Sequence, residues 1–267
     1  MLVRIASALV LIPGVIALLF LAPPRILLIA LGVVGTLSLR EYFDLTEKMG
    51  FRGQPGFGYV AFWSILAGLH ERYLPAAAIL AALLLASFIG AMWRRDSMQE
   101  RVAGMMANLF GVLYLALCLY PVLPVRYDFG EKKGLHWILL LLVVIWVGDT
   151  AALVIGRRLG RTPFAPGLSP KKTNEGAVGG LLAGVAAAVL LQRFFLTELP
   201  LYHVTLLSLL LGMAGQLGDL GESLLKRAAD VKDSSRLLPG HGGMLDRIDS
   251  LLFAIPVLYI YLLTIYE

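Results

Sequence analysis

Long apolar blocks are the feature that most restricts what this chain can fold into. Several stretches dominated by Leu, Ala, Val and Ile are long enough to cross a hydrocarbon layer about 30 Å thick, which takes about 20 residues of helix. Backbone polar groups inside lipid must pair within their own segment, so helices are the expected spanning elements. Only 15% of the residues are charged, against about 25% in a soluble domain. The sequence therefore predicts an all-α integral membrane protein.

The apolar blocks predict a polytopic bundle of about nine transmembrane helices. They cover residues 5–22, 26–43, 57–71, 74–93, 103–122, 134–156, 176–196, 204–223 and 250–266, and the third is short for a crossing. We divide the bundle into residues 1–133, the N-terminal helices that we expect to form a scaffold, and residues 134–267, the C-terminal helices that we expect to carry a catalytic site facing the cytoplasm.

The distribution of Lys and Arg predicts the orientation. One side of the predicted membrane collects 17 of these residues and the other collects 6. Because cytoplasmic loops carry the excess of positive charge, the richer side, which includes the N-terminus, is expected to face the cytoplasm from the inner membrane. This bias also accounts for the net charge of +5, so nucleic acid is not an expected partner.

A group of polar residues lies at the end of the eighth predicted span. Asp219, Glu222, Ser223 and Lys226 are spaced to share one stripe of a helix. An aspartate within a span costs about 2.5–3.5 kcal/mol on insertion scales, so it needs a cation, a metal ion or water beside it. An ion pair between Lys226 and one of the two acids, which would dock two helices, is one interpretation.

The ninth span begins with two further acids. Asp246 and Asp249 lie three residues apart, so the two helix ends bring carboxylates toward one point. Carboxylates alone do not decide between a Mg²⁺ site for a phosphate substrate and a proton relay. Five neighbouring cations favour phosphates. These are Lys226, Arg227, Lys232, Arg236 and Arg247.

The stretch "PGHGG", residues 239–243, separates these two charged segments. Its glycines permit a tight turn and an anion-binding nest, and the same composition is typical of a plain loop. His241 therefore stays open as a metal ligand, a phosphate donor or a turn residue.

A second charged loop occupies residues 148–176. Asp149 lies inside the sixth span, and five cations interleaved with Gly and Pro follow it. Such cations can be topology signals alone, but a topology signal needs no buried carboxylate. The loop contains no Walker A pattern.

Two smaller features complete the pattern. Gly176, Gly180 and Gly184 form consecutive GxxxG steps, which allow close helix approach within the bundle or across a homodimer. Arg40 and Glu41, near the end of the second span, are interpreted as anchors at the membrane interface.

The segment from Ser223 to Ser250 resembles the signature of phosphatidate cytidylyltransferases, also called CDP-diacylglycerol synthases. That signature reads S-x-x-K-R-x-x-x-x-K-D, followed by P-x-H-G-G-x-x-D-R-x-D. Every fixed position is filled here, by Ser223, Lys226, Arg227, Lys232, Asp233, Pro239, His241, Gly242, Gly243, Asp246, Arg247 and Asp249.

The likeness extends beyond this segment. The second block of the family is matched by Asp149, Gly156, Ser169, Pro170, Lys172, Thr173 and Gly176. This sequence departs from the block at Ala151 and Leu153, where the family often has Gly and Tyr. The opening "RIASALVLIP" is also similar to the start of the family.

The resemblance implies transfer of a cytidylyl group from CTP to phosphatidic acid in the lipid bilayer, with Mg²⁺ as cofactor and a second cation left open. For this reaction we expect catalytic roles for Asp219, Lys226, Asp246 and Asp249, of which the three aspartates would hold the metal, with Glu222 beside them as a supporting group. Substrate-binding roles are expected for Asp149, Ser169, Lys172, Ser223, Arg227, Lys232, Asp233, His241 and Arg247.

Two other functions remain as alternatives. A CTP-dependent lipid-alcohol kinase would share the setting but needs a base for its neutral acceptor. A transporter would more naturally show paired broken helices in two related halves, whereas the charges here are confined to the C-terminal half. A CDP-alcohol phosphotransferase would need a DGxxAR pattern, which the sequence lacks.

Overall fold

The computed structural model describes residues 13–71, 75–235, 237 and 242–266. Helix α1 is described over residues 13–21. The helices that follow are α2 (Pro24–Lys48), α3 (Pro55–Glu71), α4 (Ala76–Met92), α5 (Met98–Leu119), α6 (Val122–Tyr127), α7 (Glu131–Leu159), α8 (Asn174–Phe194), α9 (Leu201–Ala228) and α10 (Leu245–Tyr261), which continues as a π-helix over Leu262–Tyr266. Two short strands, β1 (Pro163–Ala165) and β2 (Ser169–Thr173), pair as an antiparallel hairpin.

The helices confirm the prediction of an all-α polytopic membrane protein. Six helical stretches of the described chain are long and apolar enough to cross a membrane. They are Pro24–Lys48, Met98–Tyr127, Lys132–Leu159, Asn174–Phe194, Leu201–Ala228 and Leu245–Tyr266. Helices α3 and α4 have 17 residues each, so whether the third predicted span crosses stays a prediction. Residues 5–12 of the first predicted span lie outside the described residues.

The chain divides into two compact units. Unit 1 comprises Met1–Tyr120 and Leu225–Arg247, and unit 2 comprises Pro121–Leu224 and Ile248–Glu267. Helices α9 and α10 each contribute residues to both units. The predicted division at residue 133 into a scaffold and a catalytic part stays a prediction.

A capping box begins helix α5 in unit 1, and a glycine further along lets α5 pack against α2. Ser97 and Glu100 form a capping box, in which the Ser97 hydroxyl accepts from the Glu100 amide at 3.3 Å and the Glu100 carboxylate accepts from the Ser97 amide at 3.0 Å. Further along α5, a Cβ at Gly111 would overlap the ring of Tyr42, whose hydroxyl donates to the Ala107 carbonyl at 3.0 Å. Glycine at position 111 therefore lets α2 and α5 pack closely.

The glycine-rich face of α8 packs against α7 in unit 2. A Cβ at Gly180 would lie 2.8 Å from the Gly148 carbonyl oxygen, and one at Gly184 would lie 3.1 Å from the Val144 carbonyl oxygen. The GxxxG steps therefore act in packing within the bundle, as one of the two predicted alternatives states. Because this face is covered within unit 2, it is not an argument for a homodimer.

Candidate active site

Three carboxylates from two helices meet in unit 2. Asp219 and Glu222 lie one turn apart on α9, and Asp249 lies on α10. One carboxylate oxygen from each residue lies within 4.8 Å of those of the other two. Glu222 is completely buried. Three ionised carboxylates this close repel one another unless a cation or a proton lies between them, so the cluster is a candidate cation site.

A glycine brings the two helices of this cluster together. A Cβ at Gly218 would overlap the backbone carbonyl oxygen of Asp249. The side chain at position 218 must therefore be absent for α9 to approach the backbone of α10 beside the acids. Gly218 directly precedes Asp219, so the close approach and the acidic cluster occur at the same level of the helix.

A lysine and two further polar residues adjoin the acids. Lys172, on strand β2, places its Nζ 2.5 Å from Asp219 Oδ2, and both side chains are about one-third exposed, at 28% and 33%. The Ser250 hydroxyl lies 3.5 Å from Asp149 Oδ2, and the Ser250 amide donates to Asp249 Oδ1 at 2.7 Å. The hairpin of the second charged loop thus places the ammonium group of Lys172 beside Asp219 on α9.

Asp246 and Lys226 form a separate cluster, in unit 1. Lys226 Nζ donates to Asp246 Oδ1 at 2.7 Å, and the two side chains are only 12% and 7% exposed. The other oxygen of Asp246 accepts from the amide and hydroxyl of Ser234, at 3.0 and 2.9 Å, and from the Gly243 amide at 2.8 Å. Lys226 therefore pairs with Asp246 on α10, an acid that the interpretation of a Lys226 pair with Asp219 or Glu222 did not include.

Glu41 is a residue whose position the sequence did not reveal. It was expected to be an anchor at the membrane interface, but it is only 2% exposed. It accepts hydrogen bonds from four donors at 2.6–3.0 Å, supplied by Ser234, Ser235, Met244 and Leu245. The expectation for Glu41 is therefore wrong. An Arg-Glu pair at the end of an apolar helix looks like any interfacial pair, so no local signal distinguishes it.

The other predicted substrate-binding residues lie in varied surroundings. Ser223 is 8% exposed, and Ser169 is half-buried on β2. Arg227 is exposed and donates to the Val231 carbonyl at 3.2 Å, just beyond the end of α9. Lys232, Asp233 and Arg247 are also exposed. His241 and Arg236 lie outside the described residues.

The carboxylate oxygens of the cluster in unit 2 are the kind of ligand that a hard divalent cation prefers. Mg²⁺ takes oxygen ligands at about 2.0–2.1 Å, so two of its ligand atoms lie at most about 4.2 Å apart. The oxygens of Asp219, Glu222 and Asp249 lie within 4.8 Å of one another, so shared coordination requires these side chains to draw closer together.

Comparison with known protein families gives a match over almost the whole chain. The model of the cytidylyltransferase family matches residues 2–265. The chain belongs to the cytidylyltransferase family. It is therefore a member of a family of nucleotidyltransferases, and the recognition made from the C-terminal signature is confirmed.

Individual relatives carry a more specific name. A phosphatidate cytidylyltransferase of Bacillus subtilis is 34% identical over 248 residues, which are 90% of this chain and 88% of the relative. One of Staphylococcus saprophyticus is 41% identical over 163 residues, and one of Staphylococcus epidermidis is 40% identical over 161 residues. These two matches cover 59% and 58% of this chain and 63% and 62% of the relatives, so the matched region is less than two thirds of either relative.

Proposed function

We propose that this protein transfers the cytidylyl group of CTP to phosphatidic acid, forming CDP-diacylglycerol and pyrophosphate. The observation that carries the proposal is the acidic cluster of Asp219, Glu222 and Asp249 beside Lys172, in a protein built of apolar helices. A nucleoside triphosphate needs positive charge beside its phosphates. Lys172 would supply it directly, and the carboxylates would supply it by holding a metal cation. The family and the names of the relatives support the same reaction.

The chemistry requires little from a general base. The phosphomonoester of phosphatidate has its second pKa at about 6, so its oxygen is already anionic near neutral pH. This oxygen forms a bond to the α-phosphorus of CTP, while the bond from that phosphorus to the bridging oxygen of the β-phosphate breaks and pyrophosphate leaves with the electron pair. Repulsion between the two polyanions is the main obstacle, so catalysis consists of alignment and charge neutralisation.

The residues of the chain take the following proposed roles. Asp219 and Asp249, together with Glu222, would hold Mg²⁺ in unit 2, and the ion would supply positive charge against the phosphates. Asp246, in unit 1, remains a proposed metal ligand. In unit 1 the Asp246 carboxylate already accepts from Lys226, so cation binding by Asp246 would compete with that ion pair. Lys172 and Lys226 would offset phosphate charge. The remaining proposed contacts to substrate are Asp149, Ser169, Ser223, Arg227, Lys232, Asp233, His241 and Arg247.

Pyrophosphate release tests the proposed reaction. Purified protein in detergent is incubated with phosphatidic acid, CTP and Mg²⁺, and the controls omit the lipid or add a chelator. Release that needs all three components is the expected result. In a parallel reaction with a neutral lipid alcohol in place of phosphatidic acid, release of CDP would instead identify transfer of the γ-phosphate to the hydroxyl, the reaction of a lipid-alcohol kinase. Absence of either product from folded protein in several lipids would overturn the proposal and leave a transporter.

We propose further that the site faces the cytoplasm from the inner membrane. The excess of Lys and Arg on the side that carries both charged loops supports this orientation. A Lys171→Cys protein with Cys118 replaced by Ala tests it through a membrane-impermeant maleimide. We expect labelling in inverted membrane vesicles and none in intact cells, and the reverse result would contradict the orientation.

A further inference from the structure

The carboxylate of Glu41 is surrounded by donors from a remote part of unit 1. Its partners belong to the first residue of α10 and to the connecting segment, which we define as the described residues 229–235, 237 and 242–244. Oε1 accepts from the Ser235 hydroxyl at 2.6 Å and the Met244 amide at 2.8 Å. Oε2 accepts from the Ser234 hydroxyl at 3.0 Å and the Leu245 amide at 2.7 Å. Each oxygen thus receives one hydroxyl and one backbone N–H.

Two of these donors belong to the N-terminus of α10. The first amides of a helix have no partner within the helix, and a negative charge there is favoured by the helix dipole. Glu41, from helix α2, supplies that charge to Met244 and Leu245 in place of a local capping side chain. The residue after Leu245 is Asp246. Fixing the first turn of α10 therefore fixes the position of Asp246.

A serine links Glu41 to Asp246. The Ser234 hydroxyl lies 3.0 Å from Glu41 Oε2 and 2.9 Å from Asp246 Oδ2, and its single proton is donated to one of them at a time. The Asp246 carboxylate in turn accepts from Lys226 at 2.7 Å. When the hydroxyl donates to Glu41, the Ser234 amide still donates to Asp246 Oδ2 at 3.0 Å, so hydrogen bonds connect Glu41 through Ser234 and Asp246 to Lys226.

The burial of Glu41 makes these hydrogen bonds necessary. A carboxylate that is 2% exposed loses nearly all of its hydration, which is costly unless hydrogen bonds replace the water. Four donors at 2.6–3.0 Å provide that replacement, one of them the Ser234 hydroxyl that Glu41 shares with Asp246. Glycine at position 243 leaves the space for it, since a Cβ there would overlap Ser234 Oγ and Glu41 Oε2.

We propose that Glu41 is a positioning residue, which holds the connecting segment and the first turn of α10 in the arrangement where Asp246 and Lys226 act on the substrate phosphates. This inference rests on the proposed function, because the roles of Asp246 and Lys226 belong to it. Glu41 itself touches no reacting atom in this scheme. Its effect is transmitted by the backbone of Met244 and Leu245 and by the hydroxyl of Ser234.

The variant Glu41→Gln tests the proposal with little change in shape. A glutamine has one accepting oxygen and one donating NH₂ group. In either orientation the NH₂ group faces one hydroxyl and one backbone N–H. The hydroxyl can rotate and accept, but the backbone N–H cannot. One amide at the start of α10 must therefore lose its acceptor, and the favourable charge is lost as well.

Kinetics and hydrogen exchange are the two measurements. We expect kcat to fall about 10- to 100-fold with KM for CTP changed less than threefold, since misplacement of about 1 Å at a catalytic group has an effect of this size. We also expect faster exchange in peptides covering residues 242–248 and unchanged exchange in α5. Glu47→Gln is the matched control, because Glu47 lies on the same helix but is exposed and pairs with Arg52 at 3.3 Å. It should behave as wild type.

The outcomes separate this inference from the proposed function. If wild-type protein releases no pyrophosphate, the proposed function fails, while the exchange measurement still tests whether Glu41 holds α10. A folded Glu41→Gln protein with wild-type kcat or wild-type exchange overturns the inference. If Glu41→Gln does not fold, Ser235→Ala replaces it, since it removes only one of the four donors. We then expect faster exchange in residues 242–248 and a few-fold lower kcat, and wild-type values of either would overturn the inference.

Discussion

Replacing Asp219 by Asn should weaken the binding of a cation without lowering the stability of the cation-free protein. In the wild-type cluster, Asp219 is attracted to Lys172 Nζ at 2.5 Å and repelled by Glu222 and Asp249 at distances of up to 4.8 Å. With an effective dielectric constant of about 20, the attraction is about 7 kcal/mol, and the two repulsions together are at least about 7 kcal/mol because 4.8 Å is the upper limit of their distances. The repulsion is therefore at least as large as the attraction, so without a cation we expect the variant to unfold at the wild-type temperature or slightly above it.

Binding of a cation should stabilise the wild type more than the Asp219→Asn protein. A ligand at a hundred times its Kd stabilises the state that binds it by about 2.7 kcal/mol. For a protein of this size, that corresponds to an increase of about 5–10 °C in Tm. The Asp219→Asn protein lacks one of the three carboxylates, so its Tm should respond much less to Mg²⁺, and its pyrophosphate release should be abolished.

Thermal unfolding in detergent, with Mg²⁺ or with a chelator, measures both parts of the prediction. Asp44→Asn is the control, because Asp44 is exposed on α2, outside the acidic cluster. Its Tm should rise with Mg²⁺ as that of the wild type does. An Asp219→Asn protein that Mg²⁺ stabilises as much as the wild type, or that keeps wild-type turnover, would refute the assignment of Asp219 as a ligand.

Three further substitutions test the surroundings of the two clusters. Lys172→Met should lower kcat/KM for CTP about 10- to 150-fold, because a hydrogen bond to a charged group contributes about 1.5–3 kcal/mol. Lys171→Met, on the exposed face of β2, should leave kcat/KM unchanged, and equal rates of the two variants would contradict the role of Lys172. Gly180→Leu should lower the free energy of unfolding by about 1–3 kcal/mol by forcing α8 from α7, while Leu182→Ala, at a position 66% exposed, should change Tm much less. Gly243→Ala should lower both Tm and turnover, since its Cβ has no space, and wild-type values would show that the connecting segment adjusts.

Regular patterns in the sequence identified the helices and part of the site. Apolar length located the second to ninth predicted spans within a few residues of a described helix, because a membrane requires a minimum apolar length and internal backbone pairing. Spacing of three residues placed Asp219 and Glu222 on one face of α9, as the structure confirms. The predicted common face of Asp246 and Asp249 did not reveal that the first accepts from Lys226 and Ser234 while the second lies with the acids of α9.

The sequence by itself thus determined the helical class, the approximate bounds of the spans and the family. These follow from local periodicity and from residues that lie close together along the chain. Only the tertiary structure decided that Lys172 pairs with Asp219, that Lys226 pairs with Asp246, and that Glu41 is buried beneath the start of α10. The partners in these contacts are separated by 20 to about 200 residues, and such pairs are chosen by helix packing, which depends on shape and burial across the unit and leaves no periodic trace in the sequence.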